Sequence, residues 1–145
     1  MLHLRQRPYL AQHIGWQFAV DLDQGDGVAA CRFHILFEGA RAGTISLRVG
    51  CDDRLVLYAG QIGFAVEPAF RGRHLAEHAT RLLLPLARQH GLQPLWITCN
   101  PANAASRRTL ERLGAVYVET VPLPEDYDSY AEGEREKCRF RLDVT

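Results

Sequence analysis

From position 31 the chain alternates, with Cys31, Phe33, Ile35 and Phe37 on one side and Arg32, His34 and Leu36 on the other. A period of two is that of a half-buried strand. EGARAG (38–43) reads as a hairpin connection, and TISLRV (44–49) as the returning strand with Ile45, Leu47 and Val49 inward. GCDDR (50–54) leads into LVLYAGQIGFAV (55–66), a longer and more apolar run of the kind a central strand carries. The period then changes. Leu75, Ala79, Leu82, Leu83 and Leu86 fall on one stripe of a helix that Gly91 ends. Pro85 lies inside that stripe and removes one backbone hydrogen bond. PLWITCN (94–100) is a short buried strand. PANAASRRTLERLG (101–114) is a second helix, opened by Pro101 and Asn103 and closed by Gly114. AVYVETV (115–121) and KCRFRLDV (137–144) are the last strands, joined by the acidic, tyrosine-bearing loop PEDYDSYAEGE (124–134).

The order is three antiparallel strands, helix, strand, helix and a strand pair. A strand–helix–strand unit in the middle predicts a locally parallel pair. The fold class is therefore α/β (α+β), a mixed, mostly antiparallel sheet flanked by helices, with a site at the carboxyl end of a central strand. Residues 1–28 are the least legible; YLAQHIGWQFAVDL (9–22) suits a short helix or an edge strand equally well.

Length changes this picture little: 145 residues predict a single domain, 1–145, able to bury a core. Charge narrows the partners. With 17 basic and 17 acidic side chains the formal net charge is zero, which argues against duplex nucleic acid or an anionic membrane as partner. The longest apolar run, from Leu82 to Ala87, is too short to span a bilayer, and no signal-like segment opens the chain, so a cytoplasmic location is expected. Cys31, Cys51, Cys99 and Cys138 show no zinc spacing and are expected to be reduced and mostly buried.

The chemistry concentrates in VEPAFRGRHLAEH (66–78). A strand ends, a basic turn follows, and a helix begins. A helix N-terminus presents unpaired N–H groups and a partial positive charge, and a glycine that lets the backbone curl before it makes an anion cradle. Arg71 and Arg73 add formal charge, and Ala76 keeps the first turn narrow. A pyrophosphate fits such a cradle; an ordinary helix start with exposed arginines is the simpler alternative.

The run V-x-P-x-x-R-G-x-x-x-A, followed about thirty residues later by N-x-x-S-x-x-x-L-x-R-x-G, resembles the GNAT superfamily of N-acetyltransferases over roughly residues 30 to 145. The resemblance implies an acetyl-CoA-dependent transferase acting on a primary amine by direct attack, with no metal. It implies that the cosubstrate is held by Arg71, Gly72, Arg73, His74, Leu75 and Ala76, by Phe64 and Val66 on the preceding strand, and by Asn103 and Ser106, while Leu110, Arg112 and Gly114 complete the second motif. Three positions depart from the family pattern. His74 stands at the usual glycine of the loop, Leu110 at the tyrosine that many members use to protonate the departing thiolate, and Gly60-Gln61 where some members carry a glutamate. Tyr58, Asp52, Asp53 and Glu119 are possible proton relays, and no catalytic base is assigned. The two helices that roof the acceptor site in the family have little room in residues 1–28, so the N-terminal region is shortened, the acceptor pocket is either open or completed by another subunit, and a homodimer is expected. A non-catalytic CoA-binding or interaction module on the same fold is the alternative.

Two further features compete. HLAEH (74–78) is also H-x-x-E-H, in which His74 and His78 would bind zinc and Glu77 activate water; the third ligand that such a site needs has no helix to supply it. The loop from Glu125 to Glu134 attracts a cationic amine on one reading and is a solvated hairpin tip on the other. Trp16 and Trp96 read as packing residues.

Overall fold

The two-residue turn Glu38-Gly39, with φ of 51° and 83°, joins β3 (Ala30–Phe37) to β4 (Ala40–Arg48). Positive φ at both positions matches the twist of the strands it connects, so the connection is shorter than the six residues read from the sequence. The computed structural model describes the backbone of residues 9–13 and 16–23 and the whole of residues 30–145. Within 9–23, β1 (Tyr9–His13) and β2 (Trp16–Asp23) extend the sheet, which resolves the helix-or-strand ambiguity in favour of strands. The side chain of Trp16 lies outside the described residues.

The run 55–66 is not one strand. It divides into a short π-helix, Leu55–Ala59, and β5 (Ile62–Val66), with the break at Gly60. Gly60 has φ 76°, and a Cβ there would lie 2.9 Å from the Thr98 backbone N, so both conformation and space require glycine. Arg48 secures the break by donating from Nη1 to Ala59 O (3.2 Å) and Gly60 O (2.9 Å).

After β5 come a 3₁₀ turn (Pro68–Phe70), α1 (Leu75–Gln89), β6 (Leu95–Cys99), α2 (Ala104–Arg112), β7 (Val116–Pro122), a 3₁₀ turn (Asp128–Tyr130) and β8 (Glu136–Leu142). The strands form two sheets, in the orders β1-β2-β3-β4-β5 and β6-β8-β7, and every pairing is antiparallel. The predicted parallel ladder between β5 and β6 is absent among the described residues. Instead Gln61, almost wholly buried, joins the sheets. Its backbone N–H donates to Trp96 O (2.6 Å), its Oε1 accepts from Trp96 N (2.9 Å), and its Nε2 donates to Gly50 O (3.0 Å). The α+β class is as read; the sheet is split rather than continuous.

One hydrophobic core crosses the split. Phe33, Ile35, Ile45 and Leu47 from the first sheet meet Leu83 and Leu86 of α1 and Ile97 and Phe140 of the second. Of the inward faces predicted by alternation, Phe33, Ile35, Phe37, Ile45 and Leu47 are buried, each large side chain contributing about 1.5–3 kcal/mol, while Cys31 and Val49 at the ends are half-buried. Pro85 is accommodated on the exposed side of a helix that continues past it. Of the four free cysteines, Cys99 and Cys138 are buried, Cys31 is half-buried and Cys51 is exposed.

Candidate functional site

The chain leaves β5 at Val66 and enters α1 at Leu75, and the turn between them carries the site. Gly72 has φ 85°, and a Cβ there would meet nothing within 4 Å, so its glycine serves conformation and not space. His74, the N-cap of α1, is also left-handed, at φ 56° and ψ 31°, and its side chain makes no capping hydrogen bond. The first intrahelical bond is His78 N to His74 O at 3.1 Å. The N–H groups of Leu75, Ala76 and Glu77 therefore precede the helical ladder and face outward, with the positive end of the helix dipole behind them.

This N-terminus opens into a cleft of about 550 Å³ between β5, α1 and α2. Phe64 and Val66 line it from β5, Arg71, Gly72, His74, Leu75 and Ala76 from the turn and first helical residues, and Asn103 and Ser106 from α2. Two motifs about thirty residues apart thus meet on one surface. The second also brings Arg108, Thr109 and Arg112, which line the same cleft. Arg108 and Thr109 were not singled out from the sequence, although Ala105, Arg108, Thr109 and Arg112 follow the i, i+3, i+4, i+7 spacing of a single helix face.

Arg73 does not line the cleft. Its guanidinium sits 5.1 Å from the centroid of the Phe37 ring and donates to Ala69 O (3.4 Å), so it braces the turn from the opposite side. Arg71 donates from Nε to Val66 O (3.2 Å), which ties the turn to the end of β5. Asn103 is the N-cap of α2, its Oδ1 accepting from Ser106 N at 3.1 Å. Leu110, at the tyrosine position of the motif, is fully buried in the core and offers no hydroxyl.

A second cleft, of about 460 Å³, lies by the break at Gly60. The loop from 123 to 135 forms one wall: Glu125, Asp126, Asp128 and residues 131–133 are exposed, as a solvated tip requires, while Tyr127, Tyr130 and Glu134 are half-buried against the body. Leu123 N bonds to Arg135 O (2.8 Å) at its base, and Tyr127 packs edge-on against Tyr58 with centroids 5.4 Å apart. Arg135 stacks over the Tyr130 ring at 3.8 Å. Glu134 anchors the loop to the end of β6: its Oε1 accepts from Asn100 Nδ2 (2.8 Å) and its Oε2 lies 2.9 Å from Lys137 Nζ. Burial pushes the Glu134 carboxyl up, but hydrogen bonds from Ser129, Lys137 and Asn100 more than offset it and hold the group at about 2. Arg48 reaches the same cleft from β4, and burial lowers its pKa.

The possible proton relays separate. Tyr58 lines the second cleft. Asp52 caps the π-helix, its Oδ1 accepting from Leu55 N at 3.1 Å, and Asp53 is exposed. Glu119 is paired with the buried Arg139, whose guanidinium also lies 4.3 Å from the Trp96 ring. His74 stands outside α1 in a left-handed conformation, so the H-x-x-E-H run is not two turns of one helix. Among the described residues no three His, Cys, Asp or Glu side chains converge to hold a metal.

Comparison with known proteins places this geometry. A sequence model described as the acetyltransferase (GNAT) domain matches residues 4–116. No curated protein matches the chain in sequence. Among solved structures, the microcin C7 self-immunity acetyltransferase MccE, in complex with acetyl-CoA and AMP, superposes with a TM-score of 0.61 at 18% identity, over 79% of this chain and 61% of that one. The Salmonella typhimurium acetyltransferase that modifies the N-terminal serine of ribosomal protein L7/L12 gives 0.63 at 16%, over 81% and 65%. The ribosomal-protein-S5-alanine acetyltransferase of Vibrio fischeri gives 0.63 at 16%, over 80% and 62%. The chain thus spans somewhat under two thirds of the length of these structures. At such identities the structural likeness carries the fold alone, while the sequence match covers most of the chain: this protein belongs to the GNAT acetyltransferase family.

Proposed function

We propose that the chain transfers an acetyl group from acetyl-CoA to a primary amine by direct attack. One observation carries the proposal: the unladdered N–H groups at the start of α1 open into a cleft shared with the cationic face of α2 and the end of β5. The residues present fit the cosubstrate. Leu75, Ala76 and Glu77 N–H groups suit a pyrophosphate, Arg71, Arg108 and Arg112 supply charge, and Phe64 and Val66 offer an apolar path toward the sheet break. Bound acetyl-CoA supplies the thioester. At the break, backbone N–H groups of β5 that face away from β4 are suited to polarise its carbonyl oxygen.

The amine sheds one proton to water and its nitrogen forms a C–N bond as the C–S bond breaks. The sulfur leaves as thiolate and takes up a proton, so one ammonium and one thioester give an amide, a thiol and one released proton. Positioning supplies most of the acceleration. Gln61, whose side-chain oxygen accepts from Trp96 N and whose side-chain nitrogen donates to Gly50 O, offers no base, and Leu110 offers no acid. Those two residues favour a second reading, a CoA-binding module without transferase activity. Calorimetry with acetyl-CoA together with thiol release across a panel of amines separates the two. Binding with turnover supports transfer, binding without turnover supports the module, and neither removes both. At a hundredfold excess over its Kd, acetyl-CoA is expected to stabilise the fold by about 2.7 kcal/mol.

A further inference from the structure

We propose that the second cleft binds the acceptor by its carboxylate, on Arg48, and that the acceptor is a free α-amino acid or a close zwitterionic analogue. The inference rests on the acetyl-transfer reading above and names the substrate class of that site.

Arg48 is the reason. It is half-buried, and its Nη1 spends its hydrogen bonds on two neutral carbonyls, Ala59 O and Gly60 O. No carboxylate lies within ion-pair distance of it among the described residues. Carbonyls orient a guanidinium but do not neutralise it, and a partly desolvated cation without an anion is costly. The guanidinium fork presents further donors in one plane, a geometry that matches a carboxylate. The other cations on the lining are already matched: Lys137 by Glu134 at 2.9 Å, and Arg54 by Asp126 at 3.5 Å. Among the described residues of the lining, Arg48 is the cation left for a ligand.

The opposite sign is also left over. Asp128 and Glu132, on the loop wall, have no cationic partner among the described residues. Among the described residues the lining therefore carries one half-buried cation without an anion and two exposed carboxylates without a cation, which together suit a zwitterion. Tyr58 and Tyr127 provide an aromatic wall for a side chain. Position selects the α-amine. Arg48 holds the carbonyls on the N-terminal side of the sheet break, so a carboxylate on its guanidinium sits beside the break. In an α-amino acid the nitrogen is only two bonds from the carboxylate carbon, so it too lies beside the break. The nitrogen then becomes acylated as described above, with C–N formed, C–S broken, and thiol and one proton released.

The test uses the full chain with saturating acetyl-CoA and four acceptor sets: free α-amino acids, their primary amides, the matching amines lacking the carboxyl group, and dipeptides with free N-termini. Thiol release and product mass are read in parallel with calorimetric binding of acetyl-CoA. The expected result is a kcat/KM for free acids at least tenfold above the amides and amines with the same side chain. In Arg48→Gln that preference falls to within about threefold, whereas Arg48→Lys keeps part of it. Because Arg48 also braces Gly60, the wild-type comparison of acids with amides decides even where a variant does not fold. Amides, amines or dipeptides acetylated as well as the free acids overturn the proposal and leave the transferase reading standing; acetyl-CoA binding with no acid acetylated also overturns it, and leaves the transferase reading standing only where another acceptor set turns over. Failure to bind acetyl-CoA overturns both.

Discussion

His74→Gly replaces a residue that stands, in the turn leading into α1, in a left-handed conformation without being glycine. At φ 56° and ψ 31°, its Cβ crowds the following carbonyl, at about 1–2 kcal/mol for an L-residue. The side chain is exposed and makes no capping bond, so little is lost by removing it. Glycine gives the unfolded chain more freedom, which costs about 0.5–1 kcal/mol. The difference is a net stabilisation of about 0.5–1 kcal/mol. In a chain of this size each kcal/mol moves Tm by roughly 3–4 °C, so a rise of about 2–4 °C is expected in a thermal melt at neutral pH. Two controls isolate the cause. His74→Ala keeps the backbone strain and should shift Tm by less than about 1.5 °C. Gly72→Ala, at φ 85° in open space, introduces the same strain and should lower stability by about 0.5–1 kcal/mol. A His74→Gly melt at or below wild type, or an equal gain in His74→Ala, would refute strain as the cause. Affinity for acetyl-CoA should hold or tighten in His74→Gly, read by calorimetry, because the helix N–H groups remain.

Other perturbations reach different parts of the molecule. Asn103→Ala removes the cap of α2 and should cost about 1 kcal/mol in urea unfolding, with Asn103→Asp largely restoring it. Gln61→Leu leaves Trp96 N–H and Gly50 O unpaired inside the protein; a loss of about 2–4 kcal/mol is expected in the same assay, and a loss under 1 kcal/mol would count against the bridge. Arg71→Ala, Arg108→Ala and Arg112→Ala should each weaken acetyl-CoA binding modestly and flatten its salt dependence, as calorimetry at two ionic strengths will show. Glu134 titrates near 2 when folded against 4.5 as an isolated side chain, so its anchoring is complete above the higher value. That contribution is lost as the pH falls from about 4.5 toward 2, and Glu134→Gln should flatten the acid limb of the stability curve.

Local patterns carried much of the fold into the sequence. The alternation of Phe33, Ile35 and Phe37, the stripe from Leu75 to Leu86 and the signals at Asn103 and Gly114 are nearest-neighbour matters, and each places its element. The division of 55–66 was hidden because its cause is a close approach between Gly60 and Thr98, residues far apart in the chain. Without that contact the run reads as one apolar strand. The first cleft was legible because its residues cluster in two short motifs. Arg73 was misplaced because the spacing of a turn does not say which side its side chain leaves, and the Phe37 ring decided it. The second cleft was illegible for the opposite reason. Arg48, Tyr58, Tyr127 and Glu132 come from three separate segments, and each alone looks like an ordinary surface residue.

The junction at Gln61 has a mechanical consequence. A molecule entering an intact sheet must first break ladder bonds, and each broken bond is a barrier to entry. Here the two sheets behave like leaves of a hinge, held where Gln61 exchanges two hydrogen bonds with Trp96 and by the core behind it, so the gap beyond Gln61 is ready to be filled without dismantling either leaf. Amides of β5 that point away from β4 are then the protons to watch. They should exchange quickly with deuterated water in the free protein and slowly once acetyl-CoA is added, while the amides that bond to β4 keep the same rate in both states.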